Sequence, residues 1–159
     1  MGKDKIKKTA GVIFPPPFIY LISIVIGNIV NLVWRMKIFS GAMILRIVLG
    51  IALISAAFFI FVNAFKALEK AKNPIQPYKP TLRIVKTGPY SFSRNPVYLS
   101  FALVQLGIAF FLNNMWILIA LIPAILIVHY GVILREEKYL ENKFGNGYLN
   151  YKNSVRRWV

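Results

Sequence analysis

The sequence predicts an all-α integral membrane protein, a helical bundle of about four transmembrane helices that forms a single membrane domain over residues 1–159. Of its 159 residues, 57% are hydrophobic and only 16% are charged, whereas a soluble domain is about 45–50% apolar and about 25% charged. The apolar residues fall in four long segments with basic residues beside them. The formal charge is +15, and next to apolar segments such an excess favours membrane lipids over nucleic acid as the partner.

The four apolar segments define the expected spans. They cover residues 12–33, 43–65, 97–112 and 115–134. The third segment has 16 residues, about 24 Å of helix, which is short for a bilayer core of about 30 Å. Only Asn113 and Asn114 separate the third segment from the fourth. We therefore expect these two spans to form a tight antiparallel hairpin.

The distribution of charge predicts the orientation of the chain. The N-terminal tail, the loop of residues 66–96 and the tail of residues 135–159 together carry +12, against +3 for the loop between the first two spans. Cytoplasmic loops carry the excess of Lys and Arg in membrane proteins. We therefore expect both termini and the 66–96 loop on the cytoplasmic side, in a cell inner membrane.

Metal and dinucleotide sites are not expected. The sequence has no cysteine and one histidine, His129, which excludes disulfides, thiolate metal sites and a His-rich metal cluster. The only Gly-x-Gly sequence, residues 145–147, lies in a polar tail and lacks the third glycine of a dinucleotide-binding motif.

The start of the third span is a candidate anion site. Asn95 is a suitable N-cap and Pro96 suits the first helical position. The free amides at that helix start, together with Arg94, would bind an anion on the cytoplasmic side. The alternative is that Arg94 pairs with a lipid phosphate at the membrane surface.

Acidic residues cluster where the fourth span ends. Glu136, Glu137 and Glu141 are three of only five acids in the chain, and His129 and Glu136, seven residues apart, would share a helix face. Acids at a membrane boundary are candidates for function. The alternatives are a buried histidine bonded to the backbone, and for Glu137 and Glu141 a solvated face paired with Lys138 and Lys143.

The C-terminal tail predicts an amphipathic helix. Its apolar positions are Tyr148, Tyr151, Val155 and Trp158, which follow helical spacing. Such a helix would lie on the membrane surface, or its first aromatics would close a cytoplasmic pocket in which a sulfonium or an adenine stacks.

Three groups of residues, in order along the second half of the chain, carry a resemblance to a known family. They are Thr87-Gly88-Pro89-Tyr90, then Ser93-Arg94-Asn95-Pro96-Val97-Tyr98, then Glu136-Glu137-x-x-Leu140-x-x-x-Phe144-Gly145-x-x-Tyr148-x-x-Tyr151-x-x-x-Val155. This ordered set, over about residues 80–158, resembles the isoprenylcysteine carboxyl methyltransferases and their relatives, the phospholipid N-methyltransferases.

The resemblance implies a membrane methyltransferase that uses S-adenosylmethionine and acts on a lipophilic acceptor, such as an isoprenylcysteine-like carboxylate or a lipid headgroup. It implies cofactor contacts in the loop, at the helix start and after the last span, at Leu82, Arg83, Ile84, Val85, Tyr90, Asn95, Pro96, Val97, Tyr98 and Glu136. The chemistry of the residues adds Arg94 for the methionine carboxylate and Tyr148 for the adenine or sulfonium. An amine acceptor would need a base, and His129 or Glu137 would be the catalytic group that takes its proton.

Two other functions stay open on the sequence. One is an NADPH-dependent membrane reductase of the sterol-reductase type, which shares a related C-terminal helical arrangement. The other is a non-enzymatic basic membrane protein that binds anionic lipid, in which neutralising Arg94 would matter no more than neutralising Lys72 or Lys79.

Overall fold

The computed structural model describes residues 14–74 and 79–159, and over these residues its regular structure is entirely helical. The elements are α1 (Pro16–Val33), α2 (Met43–Lys70), a 3₁₀ turn (Gly88–Ser91), α3 (Pro96–Leu112), α4 (Met115–Val128), a π-helical segment (His129–Ile133), α5 (Leu134–Phe144) and α6 (Asn146–Ser154). The first two residues of the predicted first span and the N-terminal tail before it lie outside the described residues.

Within residues 14–74 and 79–159, three helices are long and apolar enough to cross a membrane. They are α1, α2 and the continuous helix of residues Met115–Phe144, which comprises α4, the π segment and α5. Helix α3, with 17 residues and about 25 Å of length, is the shorter apolar helix that the sequence indicated. Large apolar side chains on α1, α2 and α4 point outward, as lipid-facing surfaces require. The predicted helical membrane bundle is confirmed, although α2 and the last long helix run beyond residues 65 and 134.

Small residues set the packing of the bundle. Helix α2 packs on α3, α3 on α4, and α4 on α1. A side chain on Gly27 would place its Cβ 2.8 Å from the Ile117 backbone, and one on Gly107 would lie 2.9 Å from the Gly50 carbonyl oxygen. Small residues allow membrane helices to approach this closely, and van der Waals contact then holds them together.

We expect Gly27→Ala to destabilise the bundle by about 1–3 kcal/mol, because the added methyl group meets backbone that cannot move aside. Gly131→Ala is the matched control, since a Cβ at Gly131 has open space around it. Thermal unfolding of both variants in detergent checks the prediction. Equal melting temperatures for the two variants would contradict the close approach of α1 and α4.

A buried polar side chain joins three of the helices. Gln105 on α3 is fully buried; its Oε1 accepts a hydrogen bond from Ser23 Oγ at 2.7 Å and its Nε2 donates to the Ile117 carbonyl at 3.1 Å. Both the donor and the acceptor of this amide are thereby satisfied inside the membrane, where an unsatisfied polar group is costly.

The turn between α3 and α4 is as tight as predicted. Asn113 ends α3 in the left-handed conformation with φ 53°, and the Asn114 side chain accepts hydrogen bonds from the amides of Trp116 and Ile117 at the start of α4. These two asparagines therefore end one helix and cap the next, which fixes the hairpin.

Candidate functional site

A cavity of about 480 Å³ lies at one end of the bundle. The start of α1, the end of α2, the loop before α3, the start of α3, and helices α5 and α6 form its walls. Its volume falls in the range of about 300–1,000 Å³ that is usual for small-molecule sites.

The cavity brings together eleven of the twelve residues predicted to bind the cofactor. They are Arg83, Ile84, Val85, Tyr90, Arg94, Asn95, Pro96, Val97, Tyr98, Glu136 and Tyr148. The twelfth, Leu82, is 57% exposed and does not line the cavity. The predicted residues of the loop and of the start of α3 thus form one wall of the cavity, and those of α5 and α6 form another.

The start of α3 differs from the prediction in one respect. Pro96 is the first helical residue as expected, but the Asn95 side chain makes no capping hydrogen bond. Its Nδ2 donates instead to the Arg157 carbonyl at 2.9 Å. The Asn95 amide is therefore used to hold the C-terminal segment against α3.

Arg94 is the most unusual residue of the cavity. Its side chain is only 7% exposed, and its Nη2 lies 3.3 Å from Glu137 Oε1. Its Nε and Nη1 are buried and have no hydrogen-bond partner among the described residues. Buried donors in native proteins are nearly always paired, so these two nitrogens indicate a position for an acceptor. A side chain this deeply buried does not suit the alternative of pairing with a headgroup at the membrane surface.

Glu137 forms a buried ion pair with two arginines. It is 5% exposed, and its Oε1 and Oε2 accept from Nε and Nη2 of Arg157 at 2.8 and 2.9 Å. The expected alternative for Glu137, a solvated face paired with Lys138 and Lys143, is therefore wrong. Donation to Glu137 raises the pKa of the Arg157 guanidinium above its ordinary value.

Glu136 lines the cavity beside Glu137 but has different contacts. Its Oε1 accepts a hydrogen bond from the Tyr98 hydroxyl at 2.8 Å. Since a carboxylate offers about four acceptor sites, most of the hydrogen-bonding capacity of Glu136 is left for a ligand.

The π segment corrects the prediction that His129 and Glu136 share a helix face. A π turn contains one residue more than an α turn, so the residues after it are rotated by about 100° relative to a continuous α-helix. His129 accordingly contacts the partner of Glu137: its Nε2 is 3.4 Å from Arg157 Nη1, and Arg157 binds Glu137. His129 does not line the cavity.

The predicted catalytic role of His129 and Glu137 stays a prediction. Glu137 lines the cavity, but both of its oxygens already accept hydrogen bonds from Arg157. His129 lies behind Arg157, outside the cavity lining. Neither contact favours the role of proton acceptor.

The aromatic residues of the tail are divided between two places. Helix α6 ends at Ser154, so Val155 and Trp158 do not continue its face. Tyr148 and Tyr151 are buried and line the cavity, as the pocket alternative required. The Tyr151 hydroxyl donates to the Tyr90 carbonyl at 2.7 Å and so joins α6 to the 3₁₀ turn.

Burial and charge act together on Tyr148. Burial, followed by the nearby negative charge of Glu137, raises the pKa of its phenol to about 12. The hydroxyl is therefore neutral at physiological pH and can both donate and accept a hydrogen bond.

Glu141 lies on the surface and forms an ion pair with Lys152 rather than with Lys138 or Lys143.

Asn73 is a site residue that the sequence did not reveal. It is buried at the end of α2, and its Oδ1 accepts from the amides of Leu82 and Arg83 at 2.8 and 2.9 Å while its Nδ2 donates to the Arg83 carbonyl. These bonds hold the cavity-lining loop against α2. The only signal in the sequence was the Asn73-Pro74 pair, which indicates a turn but not its partner.

We expect Asn73→Ala to weaken ligand binding in the cavity by about tenfold, since the three lost hydrogen bonds contribute about 1 kcal/mol each and only part of that sum is transmitted to the ligand. Ligand titration measures the loss of affinity, and faster hydrogen exchange at the Leu82 and Arg83 amides would show that the loop has been released. Asn63→Ala is the control, because the Asn63 side chain donates to the carbonyl of Phe59 on its own helix. Unchanged exchange in Asn73→Ala would contradict its role as the anchor of the loop.

Comparison with known proteins decides the family. A family model described as phospholipid methyltransferase matches residues 45–147, more than half of the chain. The chain belongs to the phospholipid methyltransferase family. The match begins in α2 and ends in α6, so it includes most of the cavity walls. Membership in this family indicates a methyltransferase that works in a membrane.

Two relatives match parts of the chain. An uncharacterised protein of Haemophilus influenzae is 43% identical over 63 residues, which is 40% of this chain and all of that protein. Protein-S-isoprenylcysteine O-methyltransferase of Saccharomyces cerevisiae is 40% identical over 72 residues, which is 45% of this chain but only 30% of the yeast enzyme. No solved structure matches the chain.

Proposed function

We propose that this protein is an S-adenosylmethionine-dependent methyltransferase that acts on a lipophilic acceptor within the membrane. The observation that carries the proposal is the pair of unpartnered nitrogens on buried Arg94, in a cavity that also holds a carboxylate and several aromatic rings. A ligand that suits this set has a carboxylate, hydroxyl or ammonium groups and an aromatic or cationic part, and S-adenosylmethionine has all of them.

The residues present fit that cofactor in kind. Arg94 would bind the methionine carboxylate by charge-assisted hydrogen bonds, and the amides at the start of α3 would add to the favourable potential. Glu136 would accept hydrogen bonds from a ribose hydroxyl or from the ammonium group. Tyr90, Tyr98 and Tyr148 supply aromatic surface for the adenine or the sulfonium.

When bound, the cofactor would supply an electrophilic methyl group: an acceptor atom would attack the methyl carbon in line with the carbon–sulfur bond, and the neutral thioether S-adenosylhomocysteine would be the leaving group. The protein's contribution to such a step is alignment of the two reactants and exclusion of water. An oxygen of a carboxylate needs no base for this step, whereas an amine must first lose a proton. Of the two residues, Glu136 lines the cavity and His129 does not.

The apolar side of the cavity supports a lipophilic acceptor. Phe18 on α1, Phe61 on α2 and Phe101 on α3 line it, and the Phe61 and Phe101 rings lie 5.9 Å apart. Helices α1 and α2 both reach the cavity, yet each packs mainly on a different member of the α3–α4 hairpin. An acceptor with a hydrocarbon chain would approach from the lipid between α1 and α2 with its polar end toward Glu136.

The proposed orientation places this cavity on the cytoplasmic side of a cell inner membrane. The cavity is at the end of the bundle where the described basic residues of the 66–96 loop and of the tail are found. Since the positive-inside rule assigns that end to the cytoplasm, the cavity would face the soluble pool of cofactor.

Isothermal titration of the detergent-purified protein with S-adenosylhomocysteine tests the proposal. We expect saturable binding and a rise in melting temperature with the same ligand, since a ligand that binds only the folded state stabilises it. If millimolar S-adenosylhomocysteine neither binds nor raises the melting temperature, the proposal is refuted. NADPH is the comparison ligand: protection by NADPH alone would favour the reductase instead.

A further inference from the structure

The last five residues, Val155 to Val159, form a C-terminal strap that lies against the start of α3. The Arg94 amide donates to the Arg156 carbonyl at 3.0 Å, and Asn95 Nδ2 donates to the Arg157 carbonyl at 2.9 Å. Trp158 packs against the buried core of the bundle. The strap is therefore fixed on both sides of Arg157.

The Arg157 side chain occupies both oxygens of Glu137. Its Nε and Nη2 lie 2.8 and 2.9 Å from Oε1 and Oε2, which is the two-point contact that guanidinium and carboxylate groups prefer. Arg94 has only a single, longer contact of 3.3 Å with the same carboxylate. Two arginines thus share the Glu137 carboxylate, and Arg157 makes the stronger, two-point contact with it.

This division explains why Arg94 has unpaired donors. A lone Arg94 next to Glu137 would be expected to form the two-point contact itself, because that is the stronger arrangement. Arg157 already fills the carboxylate, so Arg94 keeps Nε and Nη1 unbonded at the cavity.

We propose that Arg157 is a positioning residue: by engaging both oxygens of Glu137, it keeps two nitrogens of Arg94 available for the carboxylate of a ligand in the cavity. This inference rests on the proposed function, because it assumes a ligand with a carboxylate. Arg157 itself does not line the cavity, so it acts through Arg94.

Two ligands separate positioning from a general structural role. S-Adenosylhomocysteine carries the carboxylate, whereas 5′-methylthioadenosine has the same nucleoside and sulfur without it. For Arg157→Gln we expect about tenfold weaker binding of S-adenosylhomocysteine, the effect of about one charge-assisted hydrogen bond. We expect unchanged binding of 5′-methylthioadenosine. Arg156→Gln, which removes the same charge from an exposed neighbour, should bind both ligands as the wild type does.

The possible results are distinguishable by isothermal titration. Unchanged affinity of Arg157→Gln for S-adenosylhomocysteine, or an equal loss for both ligands, would overturn the positioning role while leaving the proposed function intact. A wild type that binds neither ligand would overturn the proposed function and this inference with it. If Arg157→Gln does not fold, Arg157→Lys serves, because lysine keeps the charge but cannot make the two-point contact. It should show the same selective loss.

Discussion

Replacing Arg94 with alanine is expected to weaken the binding of S-adenosylhomocysteine by roughly 100-fold. The guanidinium offers two unpartnered, buried nitrogens to the cavity, and a hydrogen bond to a charged group contributes about 1.5–3 kcal/mol. Two such bonds amount to at least about 3 kcal/mol, or two factors of ten in affinity. Titration of the purified variant in detergent measures the effect directly.

Lys79→Ala is the matched control for this experiment. It removes one positive charge from an exposed position of the same loop, so it tests whether the total charge of this surface matters. Its affinity should equal that of the wild type. If Arg94→Ala and Lys79→Ala changed binding equally, the cavity would not be the binding site, and the non-enzymatic alternative of a basic, lipid-binding surface would gain support.

Glu137→Gln is expected to have the largest effect on stability, a loss of about 3–5 kcal/mol. Glu137 is the counter-charge for two guanidinium groups, one of them 7% exposed. Removing one partner from a buried ion pair leaves an uncompensated charge, and such changes cost about 3–5 kcal/mol. The amide keeps the size of the side chain, so the loss reports on charge and not on a cavity. Thermal unfolding in detergent, followed by circular dichroism, measures it.

Glu141→Gln provides the comparison for that result. Glu141 also forms an ion pair, with Lys152, but both side chains are about one-third exposed. Exposed pairs contribute about 0–1 kcal/mol, so its melting temperature should change little. Similar losses for the two variants would show that the buried cluster of Arg94, Glu137 and Arg157 does not stabilise the fold as its geometry indicates.

Most of the fold could be predicted because its elements are encoded locally. Apolar runs of near-membrane length gave the helices, and the Asn113-Asn114 and Asn95-Pro96 pairs gave the hairpin and the start of α3. Most of the cavity-lining residues could be predicted for the same reason, since the loop and the helix start that carry them are each contiguous in sequence. Eleven of the twelve residues expected to bind the cofactor line the cavity.

The remaining parts of the site depend on contacts between distant residues. Arg157 meets Glu137 across 20 positions, and Asn95 meets the Arg157 carbonyl across 62. Arg157 stands next to Arg156 in a basic tail, and no sequence pattern shows which of the two pairs with a buried acid and which faces solvent or lipid. Asn73 was missed for the same reason, because its three bonds all go to backbone about ten residues away.

The π-helical segment has a consequence for the two neighbouring glutamates. In an uninterrupted α-helix, the residue on the face of His129 two turns later would be Glu136; with one residue inserted, it is Glu137 that lies beside Arg157. The segment therefore gives two chemically identical carboxylates different environments. Glu137 is ion-paired with two arginines inside the protein, whereas Glu136 accepts from Tyr98 and keeps most of its acceptor sites for a ligand. A single backbone insertion, and no difference in side-chain chemistry, decides which glutamate is which.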